Sequence, residues 1–210
     1  MSFPAFFEQA PCLTVHDPLA ELLGAPVDGL LTYCYADAVR LAGHSCPTVA
    51  SAYVLGRRLM QALYPAGVPQ RGGVRLAFAA ACDSGVTGVQ AAVLSLLTGA
   101  AAEGGFKGLG GQYGRRNLLR FGLGGQSCLQ VTRCDTGASL MADLDLSVVP
   151  ADPAMMPLMQ ACLSGQAGAE ERRAFGLLWQ GRVRRILLDH ADDPAMIRLR
   201  PASGAQADAP

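Results

Sequence analysis

Apolar and polar residues follow two different periods along this chain, and the changes of period divide it into strands and helices. Residues 30–35 alternate loosely and are β-prone, which predicts a strand. Over 48–63 the apolar positions Val49, Ala52, Tyr53, Leu59, Met60 and Leu63 fall largely on one helical face, ending before Tyr64-Pro65. Residues 71–81 read as a buried strand centred on 74–80, and 88–97 as a second helix stopped at Thr98-Gly99. A glycine-rich loop occupies 104–114. Three strands follow at 118–123, 127–133 and 139–148, with turns at Gly124-Gly125 and Asp135-Thr136-Gly137.

The two ends are patterned differently. Residues 1–15 form an arm whose Phe3, Phe6 and Phe7 are free to dock on a core or a partner. Asp17 ahead of Pro18 predicts an N-cap with proline at the first helical position, opening a short helix through Leu23 that Gly24 closes. Pro150 to Pro153 marks a break, and helices are expected at 154–163 and 168–189. The second places Phe175, Leu178, Trp179, Val183, Ile186 and Leu187 at helical spacing, with Arg172, Arg173, Arg182 and Arg185 mainly opposite. Such a face suits a core or a homodimer contact better than nucleic acid. The pattern as a whole predicts an α+β fold with an α/β-like order: a mixed sheet flanked by helices, with a C-terminal helical segment. Residues 1–150 form the main domain, 151–200 a helical extension packed on it, and 201–210 a disordered tail.

Composition narrows the function classes. Half of the residues are hydrophobic and only 16% are charged, which argues for a folded core and against disorder. Formal charge is zero, so no global electrostatic attraction to nucleic acid or an anionic membrane exists. No apolar run approaches bilayer length. Seven cysteines form no Cys-x-x-Cys pair, their number is odd, and no basic stretch followed by an apolar run opens the sequence. Free thiols in a reducing cytoplasm are the expectation.

The candidate chemistry lies at Ala42-Gly43-His44-Ser45-Cys46-Pro47-Thr48, where an imidazole and a thiol stand two residues apart just ahead of a helix. Both suit zinc, iron or copper, whereas calcium and magnesium prefer oxygen. Pro47 fits the first turn of the helix and leaves Cys46 at its N-terminus, where the helix dipole suits an anionic ligand. A dipeptide spacing of this kind also occurs as a buried cysteine beside a satisfied histidine. The longer stretch Asp37-Ala38-Val39-Arg40-Leu41-Ala42-Gly43-His44-Ser45-Cys46-Pro47-Thr48 resembles the Gly-His-x-Cys-Pro signature of the family of formylmethanofuran dehydrogenase E-subunits. Gly88-Val89-Gln90, Leu97-Thr98-Gly99 and Gly114-Arg115-Arg116-Asn117-Leu118 resemble that family too, in the same order, over roughly residues 30 to 125.

The resemblance implies that His44 and Cys46 are metal ligands. The family's frequent second histidine is replaced by Ala42 and a frequent cysteine by Ala100, and no paired-cysteine zinc ribbon is present. Further ligands must then come from elsewhere. Cys82, ahead of Asp83-Ser84 at a predicted strand end, is one candidate and reads equally as a buried strand-end cysteine. His16 is another, although a lone histidine is more often a packing or surface residue. Cys34, Cys128 and Cys162 read as core, and His190 as exposed.

The glycine loop with Lys107, Arg115 and Arg116 admits an anion-binding reading, but its spacing fits neither the dinucleotide fingerprint nor the nucleotide P-loop. A lid or a close-packed loop is the favoured alternative. No nucleophile elbow, zinc-protease helix or acid/base carboxylate pair is present, so the sequence names no reaction. Asp83 or Glu103 would be the proton acceptor if a metal-bound water reacted. Three classes remain: a cytoplasmic transition-metal-binding protein with zinc as the default and a possible small-molecule ligand, a haem-binding or metal-handling protein, and an assembly protein with a vestigial site.

Overall fold

The computed structural model describes residues 3–125 and 127–202 and has an α+β architecture. A 3₁₀ turn, Ala5–Gln9, brings Phe7 into the core, and two short strands, β1 (Leu13–His16) and β2 (Leu30–Tyr33), pair antiparallel. Helix α1 (Pro18–Leu22) lies between them. As expected, Asp17 caps it, accepting hydrogen bonds from the Leu19 and Ala20 amides. Three helices follow: α2 (Tyr35–Ala42), α3 (Pro47–Leu63) and, after the strand β3 (Val74–Phe78), α4 (Thr87–Thr98). The chain then adds β4 (Leu119–Arg120), β5 (Leu129–Arg133) and β6 (Ser139–Leu144). It continues through helices α5 (Met155–Leu163) and α6 (Ala169–Arg184) and ends in β7 (Ile197–Pro201).

The main sheet runs β4-β3-β5-β6-β7. Strand β3 pairs parallel with β4, and the other neighbours are antiparallel, so the sheet is mixed. Period-two burial explains the strands: Val74, Leu76 and Phe78 turn to the core, while Arg75 and Ala77 are more exposed. Helix α3 is the central element. Thirteen of its seventeen residues are buried, so its apolar face extends almost all the way round rather than along one stripe. Gly56 makes this possible, because a Cβ there would stand 2.6 Å from Leu97 Cδ1 and 2.8 Å from Leu94 Cδ2 on α4. Its missing side chain lets the two helices approach closely.

The structure departs from the sequence reading at several places. Strand β2 ends at Tyr33, and Tyr35 begins a helix, because the Asp37 carboxylate accepts from the Cys34 amide and starts α2. The expected strand at 139–148 stops at Leu144, where Asp145 caps a 3₁₀ turn, Leu146–Val148. Helix α6 gives way to a π-helical turn, Arg185–Asp189. Strand β7 was not expected. It joins the segment after residue 150 to the edge of the sheet and takes in Pro201, the first residue of the expected tail. An edge strand tolerates that proline because its missing N–H need not pair. Residues 203–210 of the expected tail lie outside the described residues.

The cysteine reading also needs correcting. Cys12 and Cys34 form a disulfide that ties the start of β1 to the start of α2. Cys34 is therefore not a free core thiol, and Cys128 is exposed at the start of β5 rather than buried. The Tyr53 hydroxyl, deep in α3, lies 2.7 Å from the carbonyl of Pro11 and 3.0 Å from that of Tyr33. Those two residues each precede one of the bridged cysteines, so α3 also anchors both sides of the bridge.

Candidate metal centre

The turn between α2 and α3 carries His44 and Cys46. Gly43 ends α2 in the left-handed conformation, φ 76°, and its amide donates to the Val39 carbonyl, a geometry that favours glycine. His44 is exposed, and its Nδ1 lies 2.9 Å from the Ala42 carbonyl oxygen. A carbonyl can only accept, so Nδ1 carries the hydrogen and Nε2 keeps the lone pair that a metal would take. Cys46 is buried, 8% exposed, and sits at the N-cap of α3, where its Sγ accepts from the Val49 amide at 3.4 Å.

Ser45, between His44 and Cys46, is held from three sides. Its hydroxyl donates to Gln180 Oε1 at 3.0 Å and is 2.8 Å from the Tyr35 hydroxyl, which therefore donates to it. Its carbonyl accepts from Trp179 Nε1 at 3.0 Å and from Gln180 Nε2 at 3.3 Å. Burial pushes the Tyr35 hydroxyl well above the usual phenol range, against the pull of the Ser45 hydrogen bond, so it stays a neutral donor. Two helices distant in sequence, α2 and α6, thus fix one residue. Trp179 was expected to serve a core or dimer face, and Gln180 carried no signal at all. A glutamine contact across 135 residues leaves no local pattern in a sequence.

The other candidate ligands stand elsewhere. His16 ends β1, and its Nε2 lies 2.8 Å from Glu21 Oε2, the pairing of an imidazole with a carboxylate on α1. Cys82 is exposed in the turn between β3 and α4. Among the described residues no three His, Cys, Asp or Glu side chains gather as a metal-binding group, so neither joins His44 and Cys46 in one. His190 is half-buried, with Nδ1 2.8 Å from Asp193 Oδ2.

The glycine loop folds back on itself through paired Leu109 and Gln112. Lys107 and Arg116 are exposed, while Arg115 turns inward to the Asp17 carboxylate, which Arg71 also contacts. Among the described residues no helix is long and apolar enough to cross a membrane. No protein-family model matches the chain, and no curated protein matches it either.

Proposed function

We propose that this protein binds a transition-metal ion, with zinc as the default, through His44 Nε2 and Cys46 Sγ. The observation that carries this reading is the immobilised Ser45, which holds the two donor residues on a turn fixed from α2 and α6. Fixed donor geometry is what a metal site requires of its protein, and an imidazole with a thiol is a donor set that zinc accepts. The resemblance of Gly43-His44-Ser45-Cys46-Pro47 to the formylmethanofuran dehydrogenase signature supports the same pair.

Two protein donors are fewer than the four of a closed structural zinc site. The remaining positions belong to water, a small-molecule ligand or donors from a second copy. Zinc bound there would act as a Lewis acid on whatever occupies them. Elemental analysis of untagged protein tests the reading. A stoichiometric transition metal supports it, and its absence after metal-replete preparation refutes it. An absorption spectrum of the same sample reads the haem alternative, which would give a Soret band.

The hairpin of α5 and α6 supports a two-fold homodimer. Met156, Leu163 and Leu177 are exposed by 53%, 80% and 66%, an apolar surface for a second copy to cover. Light scattering giving only the monomer mass would remove this partner. The proposed compartment is the cytoplasm. Cys82, Cys128 and Cys134 are exposed free thiols, which a reducing compartment protects, while the Cys12–Cys34 bridge is the feature that speaks against it.

A further inference from the structure

Asp17, Arg71 and Arg115 form a buried group with one negative and two positive charges. The carboxylate is 5% exposed and the guanidiniums 21% and 9%, with Arg71 Nη1 2.9 Å from Asp17 Oδ2. One positive charge is left uncompensated in a site poorly reached by water, where a counter-anion is favoured. The group opens on a cavity of about 230 Å³ whose wall includes Gln70, Arg71, Gln112, Tyr113, Gly114 and Arg115. Among the described residues no acidic side chain lines it.

Arg115 and two loop amides at this wall keep N–H donors with no protein acceptor among the described residues. Arg115 spends one hydrogen of each terminal nitrogen on Asp17 and on the Arg71 carbonyl, leaving Nε–H and two further N–H groups, and the amides of Tyr113 and Gly114 donate to no group among the described residues. Tyr113 also adopts φ 60°, a left-handed conformation that a non-glycine residue holds only when its surroundings impose it. The cavity is smaller than the ~300 Å³ at which whole-ligand pockets begin, so it fits a head group rather than a nucleotide.

We propose that this cavity binds an oxyanion head group of the phosphate class, held by Arg115, Arg71 and the loop amides of Tyr113 and Gly114. The glycine loop is then the cradle of the anion, with Gln70 and Gln112 on the rim as neutral donors. The site is independent of the metal reading, and metal-free protein should bind equally well.

Calorimetric titration of chelator-treated protein in low-salt chloride buffer, with inorganic phosphate in one arm and acetate in the other, tests this. Saturable binding of phosphate is expected, weakened about tenfold or more in the Gln70→Glu/Gln112→Glu double variant, whose added charges repel the anion. Both positions are exposed, and the variant's unchanged melting temperature without phosphate checks its fold. Lys107→Ala, away from the wall, should bind as the parent does. Acetate binding with the same variant sensitivity would identify a carboxylate as the head group. No binding of either anion, or equal binding by the double variant, overturns the proposal.

Discussion

Replacing Asp17 with asparagine should cost a large share of this chain's stability. Asparagine keeps the oxygen that caps α1, so the cap itself is nearly preserved. What disappears is the negative charge between Arg71 and Arg115, leaving two buried cations against each other. Removing one partner of a buried ion pair costs about 3–5 kcal/mol. Against a total stability of about 5–15 kcal/mol that is a large share. For a chain of this length it corresponds to a fall of roughly 6–20 °C in melting temperature. Urea unfolding and thermal melts of parent and variant at neutral pH measure it directly.

The pH dependence gives a second reading of the same contact. Burial works to raise the pKa of Asp17, but the Arg71 hydrogen bond and the Arg115 charge outweigh it and hold the carboxyl below its ordinary value. Its contribution is therefore complete above the unfolded pKa of about 3.9 and is lost as pH falls through the lower folded value. The parent should lose this increment below about pH 4, while Asp17→Asn lacks it at every pH. A neutral-pH loss under about 1 kcal/mol, or acid limbs of equal steepness, would refute the reasoning.

Other changes have defined outcomes. Trp179→Phe should cost about 1 kcal/mol, because Gln180 still serves the Ser45 carbonyl, and Gln180→Ala about 1–2 kcal/mol, because it also removes the acceptor of the Ser45 hydroxyl. The double variant should exceed their sum by at least ~0.5 kcal/mol in urea unfolding, and strict additivity would deny the shared acceptor. Gly72→Ala places a Cβ 1.1 Å from Arg115 Nη1 at a φ of 78°, so it should destabilise by several kcal/mol, roughly as Asp17→Asn does. A melt within a degree of the parent would contradict it. Opening the Cys12–Cys34 bridge, which closes a loop of 22 residues in sequence separation, should lower stability by about 3 kcal/mol. Melting with and without a dithiol reductant, beside Cys12→Ser/Cys34→Ser, checks the figure.

Local pattern carried most of the architecture. The Asp17-Pro18 cap, the glycine stop at Gly99 and the two-residue alternation of β3 are written within a few residues, and each stands as expected. Helix α2 was hidden because Tyr33-Cys34-Tyr35 has strand propensity, and the decisive contact is one hydrogen bond from Cys34 to Asp37. Strand β7 does alternate, as Ile197-Arg198-Leu199-Arg200, but it is short and falls within the expected helical extension that ends at residue 200, and its pairing with β6 is a long-range event. At the candidate site the helix start that follows His44 and Cys46 was legible from the proline after them. The residues that hold their turn were not, since Trp179 and Gln180 reach it across the fold. Asp17 was read as a cap alone, because nothing nearby in sequence announces Arg71 or Arg115.

The central claim is that Cys46 and His44 donate to one metal ion. Titration with cobalt(II) as a spectroscopic substitute for zinc tests it most directly, because a thiolate ligand produces a charge-transfer band in the near ultraviolet. The account predicts a saturable band in the parent and in Cys162→Ser. It predicts loss of the band in Cys46→Ser and greatly weakened binding in His44→Ala, with both variants still folded. A parent protein that shows no band, or a Cys46→Ser protein that keeps it, would contradict the account.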